Sequence, residues 1–391
     1  MRELRLSDRL MRDAANLLDY DDGLDAERWA AEWYGRAWRA AGIGERAPEH
    51  LLCLEVIGRA CTHPSPAGLA ALVALRRVAL PDDHSLLDGS IELLAESQPL
   101  PPWPARTEAT AVRAWRAVDV WGAERVLLVE FERDGAPYTL LAQILTVSGT
   151  LVEDLELLGP GAAEIWEQGR EPDEPPMPLT EAPVADVLAE LASSMRSTDM
   201  MWPRPESDYA DLRALAWTAC RDHLPEWPGF EPIPGADRQA LIEAFAPAGD
   251  AEAALADLFL DYGDGYLHDR PLGWSPFAAV LFLTDWLPRK AVLDAAQRAA
   301  LPETLRRWVR FALGRRGLQA EWIDPVIAAI DGSIADFEEA FDDDSAWGPA
   351  KQIAAELADR GVDLTDRAAV DQAVRGLNAE RLARGLLDEG Q

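Results

Sequence analysis

The segment from Trp115 to Leu158 changes period, turn content and composition together, inside a chain whose other residues follow helical spacing. Between Arg125 and Glu132, Val129 and Phe131 alternate with Glu130 and Glu132, the two-residue period of a strand. Asp134-Gly135 follows, a dipeptide suited to a tight hairpin turn. Tyr138 to Val147 is apolar enough to be covered on both faces. Ser148-Gly149 marks a second turn before Leu151 to Leu158, and Trp115 to Trp121 can supply a fourth strand. The segment predicts an antiparallel meander of three to four strands, one face covered by the N-terminal helices.

Before the meander, Ala26, Trp29, Ala30, Trp33, Tyr34, Ala37 and Trp38 recur at helical spacing, as do Leu51, Leu54 and Ile57. Asp88-Gly89-Ser90 is expected to break the helix that contains it. Residues 167–183 hold five prolines and five acidic residues against one arginine, the composition of an extended, solvated linker. Helical patterning then continues to the end, with segment starts expected at positions that include Pro183, Ser275 and Pro302. The predicted class is therefore α+β, mainly α. Residues 1–166 would form a helical domain with the meander, 167–183 a linker, and 184–391 a C-terminal helical array.

Bulk composition narrows the function. A net charge of −32 disfavours nucleic acid and anionic lipid and favours solubility and basic partners. No apolar run approaches the length of a membrane span, and the N-terminus lacks the apolar centre of a signal peptide. Three cysteines cannot build a disulfide framework and fit a reducing compartment, so a cytoplasmic location is expected. Only Lys290 and Lys351 are lysines, all other basic residues being arginine, as in a GC-rich genome. Fifteen tryptophans serve cores and binding grooves alike.

The stretch Arg270-Pro-Leu-Gly-Trp-Ser-Pro-Phe-Ala-Ala-Val-Leu-Phe-Leu-Thr-Asp-Trp-Leu-Pro-Arg-Lys290, with Arg307-Trp-Val-Arg-Phe-Ala312, resembles uncharacterised helix-rich proteins of GC-rich actinomycetes. The resemblance covers mainly the C-terminal half. It implies a bacterial, cytoplasmic origin and no particular activity.

Four groups of residues carry candidate chemistry. His50, Cys53, Cys61 and His63 have zinc-compatible side chains but no paired-cysteine spacing, and Cys53 lies among leucines as a small core residue. Asp257, Asp261, Asp264 and His268 are denser. The first two share a helix face, and carboxylates with an imidazole suit a divalent metal or acid–base chemistry, with Asp261 and His268 as catalytic candidates. Arg306, Arg307 and Arg310 form an outward row within the one basic stretch, a candidate anion site unless the chain's own carboxylates neutralise it. Trp202-Pro-Arg-Pro205 suits an extended motif docking into a partner, with Trp202 and Arg204 as contacts.

Nucleophile elbows, zinc-protease motifs, P-loops and dinucleotide fingerprints are absent from the sequence. No cofactor is implied. The leading expectation is an acidic, tryptophan-rich interaction or regulatory protein that acts on another protein rather than as an enzyme. The alternatives are a metal-assisted hydrolase built on the aspartate–histidine cluster, and phosphate or nucleic-acid handling through the arginine row.

Overall fold

The computed structural model describes residues 5–45, 47–101, 103, 109–133, 137–147, 149–166, 175–205, 207–227, 229, 231–267, 271–343 and 348. Two compact units divide the chain, Met1–Phe230 and Glu231–Gln391.

The first unit begins with five helices: α1 (Leu6–Asp13), α2 (Gly23–Ala40), α3 (Pro48–Thr62), α4 (Pro66–Val78) and α5 (His84–Ala95). Side-chain caps set two of their starts. Asp22 accepts from the Leu24 N–H at 2.9 Å and Ser65 from that of Gly68 at 3.1 Å, each satisfying a donor that the first helical turn leaves open. The tryptophan stripe of α2 is buried throughout, as its spacing predicts: Trp29, Trp33 and Tyr34 lie in one core with Leu69, Leu72 and Leu75 of α4 and Leu87 of α5, and Trp38 lies in the core on the sheet. Asp88-Gly89-Ser90 does not break α5. Arg76 holds Asp88 at 2.7 and 3.0 Å, and the Ser90 hydroxyl donates to the Leu86 carbonyl, so the helix absorbs its glycine.

The sheet is antiparallel, with five strands rather than three or four. They are β1 (Thr110–Val118), β2 (Glu124–Glu132), β3 (Tyr138–Leu145), β4 (Leu151–Leu158) and β5 (Leu179–Glu181), in the order β4-β3-β2-β1-β5. Strand β5 comes from the stretch expected as a linker. Leu179, Thr180 and Glu181 pair with Ala117, Arg116 and Trp115, covering an edge that would otherwise stay unpaired. Residues 167–174 of that stretch and the Asp134-Gly135 turn lie outside the described residues.

Alternation along the strands sorts the sheet into two faces. Leu127, Val129, Phe131, Leu140, Ala142 and Ile144 point to one, and Val126, Leu128 and Leu141 to the other. The first face is covered mainly by α7 (Val184–Asp199), through Val187, Leu188, Leu191 and Met195, and by α8 (Tyr209–Cys220), through Tyr209, Ala216 and Cys220. The N-terminal helices reach it only in part, through Trp38 and through a buried ion group. There Arg133 grips Glu27 with two 2.8 Å hydrogen bonds, and Arg77 lies 3.5 Å from the same carboxylate. The division between units therefore falls after Phe230, not at 167–183. Helices α7 and α8 carry apolar stripes whose complement is the sheet, so they complete the first core instead of starting a second. The other face packs on Met177 and on α6 (Ala162–Trp166).

Helix α8 also runs along α2. At Gly35 an added Cβ would lie 2.0 Å from the Ala210 carbonyl oxygen, so only glycine permits this approach.

In the second unit, α9 (Gly235–Phe245) and α10 (Asp250–Tyr266) precede α11 (Pro276–Leu281), which passes through a π-helical turn at Phe282–Trp286 into α12 (Leu287–Lys290). The last two described helices are α13 (Ala295–Arg315) and α14 (Ala320–Asp342). Ser275 caps α11 as its sequence predicts, accepting from Ala278 N–H at 3.1 Å. Pro302 does not start a helix. The capping box of Asp294 and Gln297 starts α13 earlier, and Pro302 sits inside it. Phe259, Tyr262, Trp274, Phe282 and Trp308 form the aromatic centre of this unit, with ring centroids 4.9 to 6.2 Å apart.

Among the described residues no helix is long and apolar enough to cross a membrane.

Replacing a helical glycine by alanine ordinarily stabilises by about 1 kcal/mol. Gly35→Ala should do the opposite, because the clash is with backbone, and lower stability by about 1 to 3 kcal/mol in urea denaturation.

Candidate functional site

Helix α7 ends in Thr198 and Asp199, which puts a carboxylate beside outward-facing helix carbonyls, an unfavourable place for negative charge. The protein meets this with a fork. Arg213 on α8 donates from Nε and Nη2 to the two Asp199 oxygens at 2.6 and 2.7 Å, and from Nη1 to Glu49 on α3 at 2.5 Å. Tyr209 and the Trp217 indole add hydrogen bonds to Asp199 at 2.8 and 3.0 Å. Burial alone would lower the Arg213 pKa, but Asp199 and Glu49 outweigh it and hold the guanidinium more firmly protonated than usual.

Trp38, buried on α2, lies against this network. Tyr209 meets it edge-on with centroids 5.8 Å apart, and the Arg213 guanidinium lies 5.1 Å from its ring. Arg204 comes closer, at 4.3 Å from Trp38 and 6.0 Å from Trp202. Arg204 has no ion pair among the described residues, and its Nη1 is shut off from solvent without a hydrogen-bond partner. Burial, and then the neighbouring Arg213 charge, lower its pKa.

The surface beside it is apolar. Met200, Met201 and Trp202 are 69, 38 and 51 % exposed. One turn back on α7, Arg196 stacks at 4.4 Å on Trp227, itself exposed, and donates to the Pro225 carbonyl at 2.8 Å. Sequence spacing singled out Trp202 and Arg204 and missed Trp38, Asp199 and Arg213, which fix the geometry around them. The only local signal was the apolar Met200-Met201-Trp202 run just past a helix end.

The aspartate cluster is arranged differently from the metal-site expectation. Asp257 and Asp261 do share one face of α10, and Arg238 of α9 binds both, at 2.5 and 2.7 Å. Asp264 is buried elsewhere and accepts from the Ile233 N–H at 3.1 Å. His268 lies outside the described residues. Among the described residues no group of three or more metal-ligating side chains converges.

The arginine row is largely engaged. Arg306 binds Asp331 at 2.6 Å and Glu303 at 3.2 Å; Arg307 binds Glu252 at 2.6 Å and stacks on Phe245. Arg298 in the same helix holds Glu338 and Asp342, while Arg310 is exposed and has no ion pair among the described residues.

The zinc-compatible residues do not gather either. Cys53 is fully buried beside Tyr34, His50 hydrogen-bonds Asp83, and His63 is exposed. Burial, and then the Asp83 charge, push the Cys53 thiol up to about 12, and burial does the same to Cys220. Neither is an activated nucleophile.

Comparison with family models, with curated proteins and with solved structures finds no match for this chain.

Two outcomes follow from the thiols. Maleimide at mildly alkaline pH should label half-exposed Cys61 and spare Cys53 and Cys220 in the folded protein, as peptide mass mapping would show. Both buried thiols ionise later folded than unfolded. Their contribution to stability is therefore complete below the ordinary thiol pKa of 9.0 and is lost as pH rises from there to about 12, which alkaline denaturation curves would detect.

Proposed function

We propose that the protein is a non-catalytic interaction module that engages a protein partner through the surface around Trp202 and Arg204. The observation that carries this reading is the Arg204 guanidinium, stacked on Trp38 with one nitrogen desolvated and unpartnered in a chain of net charge −32. A desolvated cation is costly until an anion joins it. Arg204 is only half-buried, so a carboxylate from outside would pair with the accessible edge of its guanidinium and offset the cost of covering the rest, as Asp199 does for neighbouring Arg213. Exposed Met200, Met201 and Trp202 give the same partner an apolar contact, and tryptophan and arginine are the residues that most often anchor interfaces.

The partner chemistry that fits is an acidic segment with apolar flanks. The excess negative charge opposes its approach, but screening over about 8 Å at physiological salt leaves contact chemistry to decide. The aspartate cluster gives no comparable support to metal-assisted hydrolysis, because Arg238 already binds Asp257 and Asp261. In the arginine row, Arg306 is matched by Asp331 and Glu303 and Arg307 by Glu252, which leaves Arg310 as a single exposed charge rather than a row.

Native co-purification with cross-linking tests the reading. The wild-type chain should return a defined partner whose recovery drops about tenfold with Arg204→Ala and with Trp202→Ala. Both variants should keep the wild-type melting profile, and recovery should persist as salt is raised, since the long-range field opposes the encounter. Equal recovery by both variants would reject the surface.

A further inference from the structure

The sheet face turned away from α7 and α8 holds a separate concavity of about 630 Å³, well within the range that encloses small organic ligands. Its floor is Val126 of β2, Gln143 and Leu145 of β3 and Leu158 at the end of β4, with Met177 and Trp166 as walls. Trp166 is held in place by a hydrogen bond from its indole nitrogen to the Met177 carbonyl at 3.4 Å.

The side chains that give this concavity its polar character are two carboxylates, an amide and one arginine. Strand β4 bulges opposite Gln143 and Ile144, where Gln143 pairs with Asp154 and Ile144 with Val152, and Glu153 is the extra residue. Bulges of this sort re-aim a side chain, and Glu153 lines the concavity. Neither the Glu153 carboxylate nor the Gln143 amide has a hydrogen-bond or ion-pair partner among the described residues, and Glu124 adds a second carboxylate to the lining. Arg125, the basic side chain of the lining, sends its Nη1 through to the opposite face, where it meets Glu190 of α7 at 2.6 Å. An anion entering here would face the Glu153 carboxylate within a negative field. A neutral apolar guest would gain the floor and leave Glu153 unused.

We propose that this concavity binds a small organic cation: an ammonium group carried on an apolar or aromatic body. The ammonium lies against Glu153 and the Gln143 carbonyl at the rim of the concavity, where a charge-assisted hydrogen bond forms. The body rests on Val126, Leu145 and Met177, with the Trp166 indole offering a ring to the cation. The site is independent of the Trp202–Arg204 surface.

Calorimetric titration of the full chain with phenethylammonium, its neutral analogue phenethyl alcohol and its anionic analogue hydrocinnamate decides the matter. The amine should bind, with the acid weaker by about tenfold or more. Glu153→Gln, at an exposed position, should weaken the amine about tenfold while leaving the alcohol unchanged, and Leu145→Trp should fill the floor and abolish binding of both. Trp202→Ala should leave the titration unchanged, which separates this site from the docking surface. No heat with the amine into the millimolar range, equal affinity for the acid, or an unchanged amine affinity in Glu153→Gln would each overturn the proposal.

Discussion

Helices α2 and α8 meet at Gly35 with no side chain between their backbones, and the first unit is arranged around that approach. It makes α8 a wall shared by two cores. Ala214 and Leu215 belong to the N-terminal helical cluster, while Tyr209, Ala210, Ala216 and Cys220 belong to the cluster on the sheet. A helix buried on two sides cannot carry one amphipathic stripe, which is why its sequence gives little periodic signal. The same approach brings Arg213 within reach of both Glu49 and Asp199, and places Trp38 where Arg204 can stack on it. The candidate surface thus follows from a packing constraint laid down by one glycine.

The parts of the fold legible in the sequence are those set by local rules. Strand β2 carries its own two-residue period, β3 shows as an apolar run between turns, the α2 stripe repeats at helical spacing, and Ser275-Pro276 announces α11 by its capping chemistry. What escaped was decided by distant partners. The three residues of β5 have too little length for a period and are strand only because β1 offers an edge. The cap at Asp294 overrode the signal of Pro302, and the assignment of α7 to the first unit depends on a sheet formed well before it in the chain.

The candidate sites divide along the same line. Spacing correctly put Asp257 and Asp261 on one helix face, yet the residue that binds them, Arg238, sits on another helix and has no local signal. Trp202 and Arg204 stood out by composition, while the aromatic ring beneath them comes from α2. The sheet concavity was invisible in sequence because it depends on a bulge in β4 and on Met177 returning across the sheet from beyond α6.

The buried and half-buried arginine pairs shape the molecule as a charged body. Arg77, Arg133, Arg213, Arg238, Arg298, Arg306 and Arg307 are all held against carboxylates, several of them under cover. They act as fixed internal counter-ions, tying helices together and contributing little to the field outside. Carboxylates outnumber the arginines and lysines by 32, so even with further pairs such as Arg76–Asp88 and Arg125–Glu190 the exterior behaves as a polyanion whose self-repulsion is relieved by mobile cations. Ionic strength then acts on this protein as a cohesive agent, tightening the compact state where it would loosen one held by surface ion pairs.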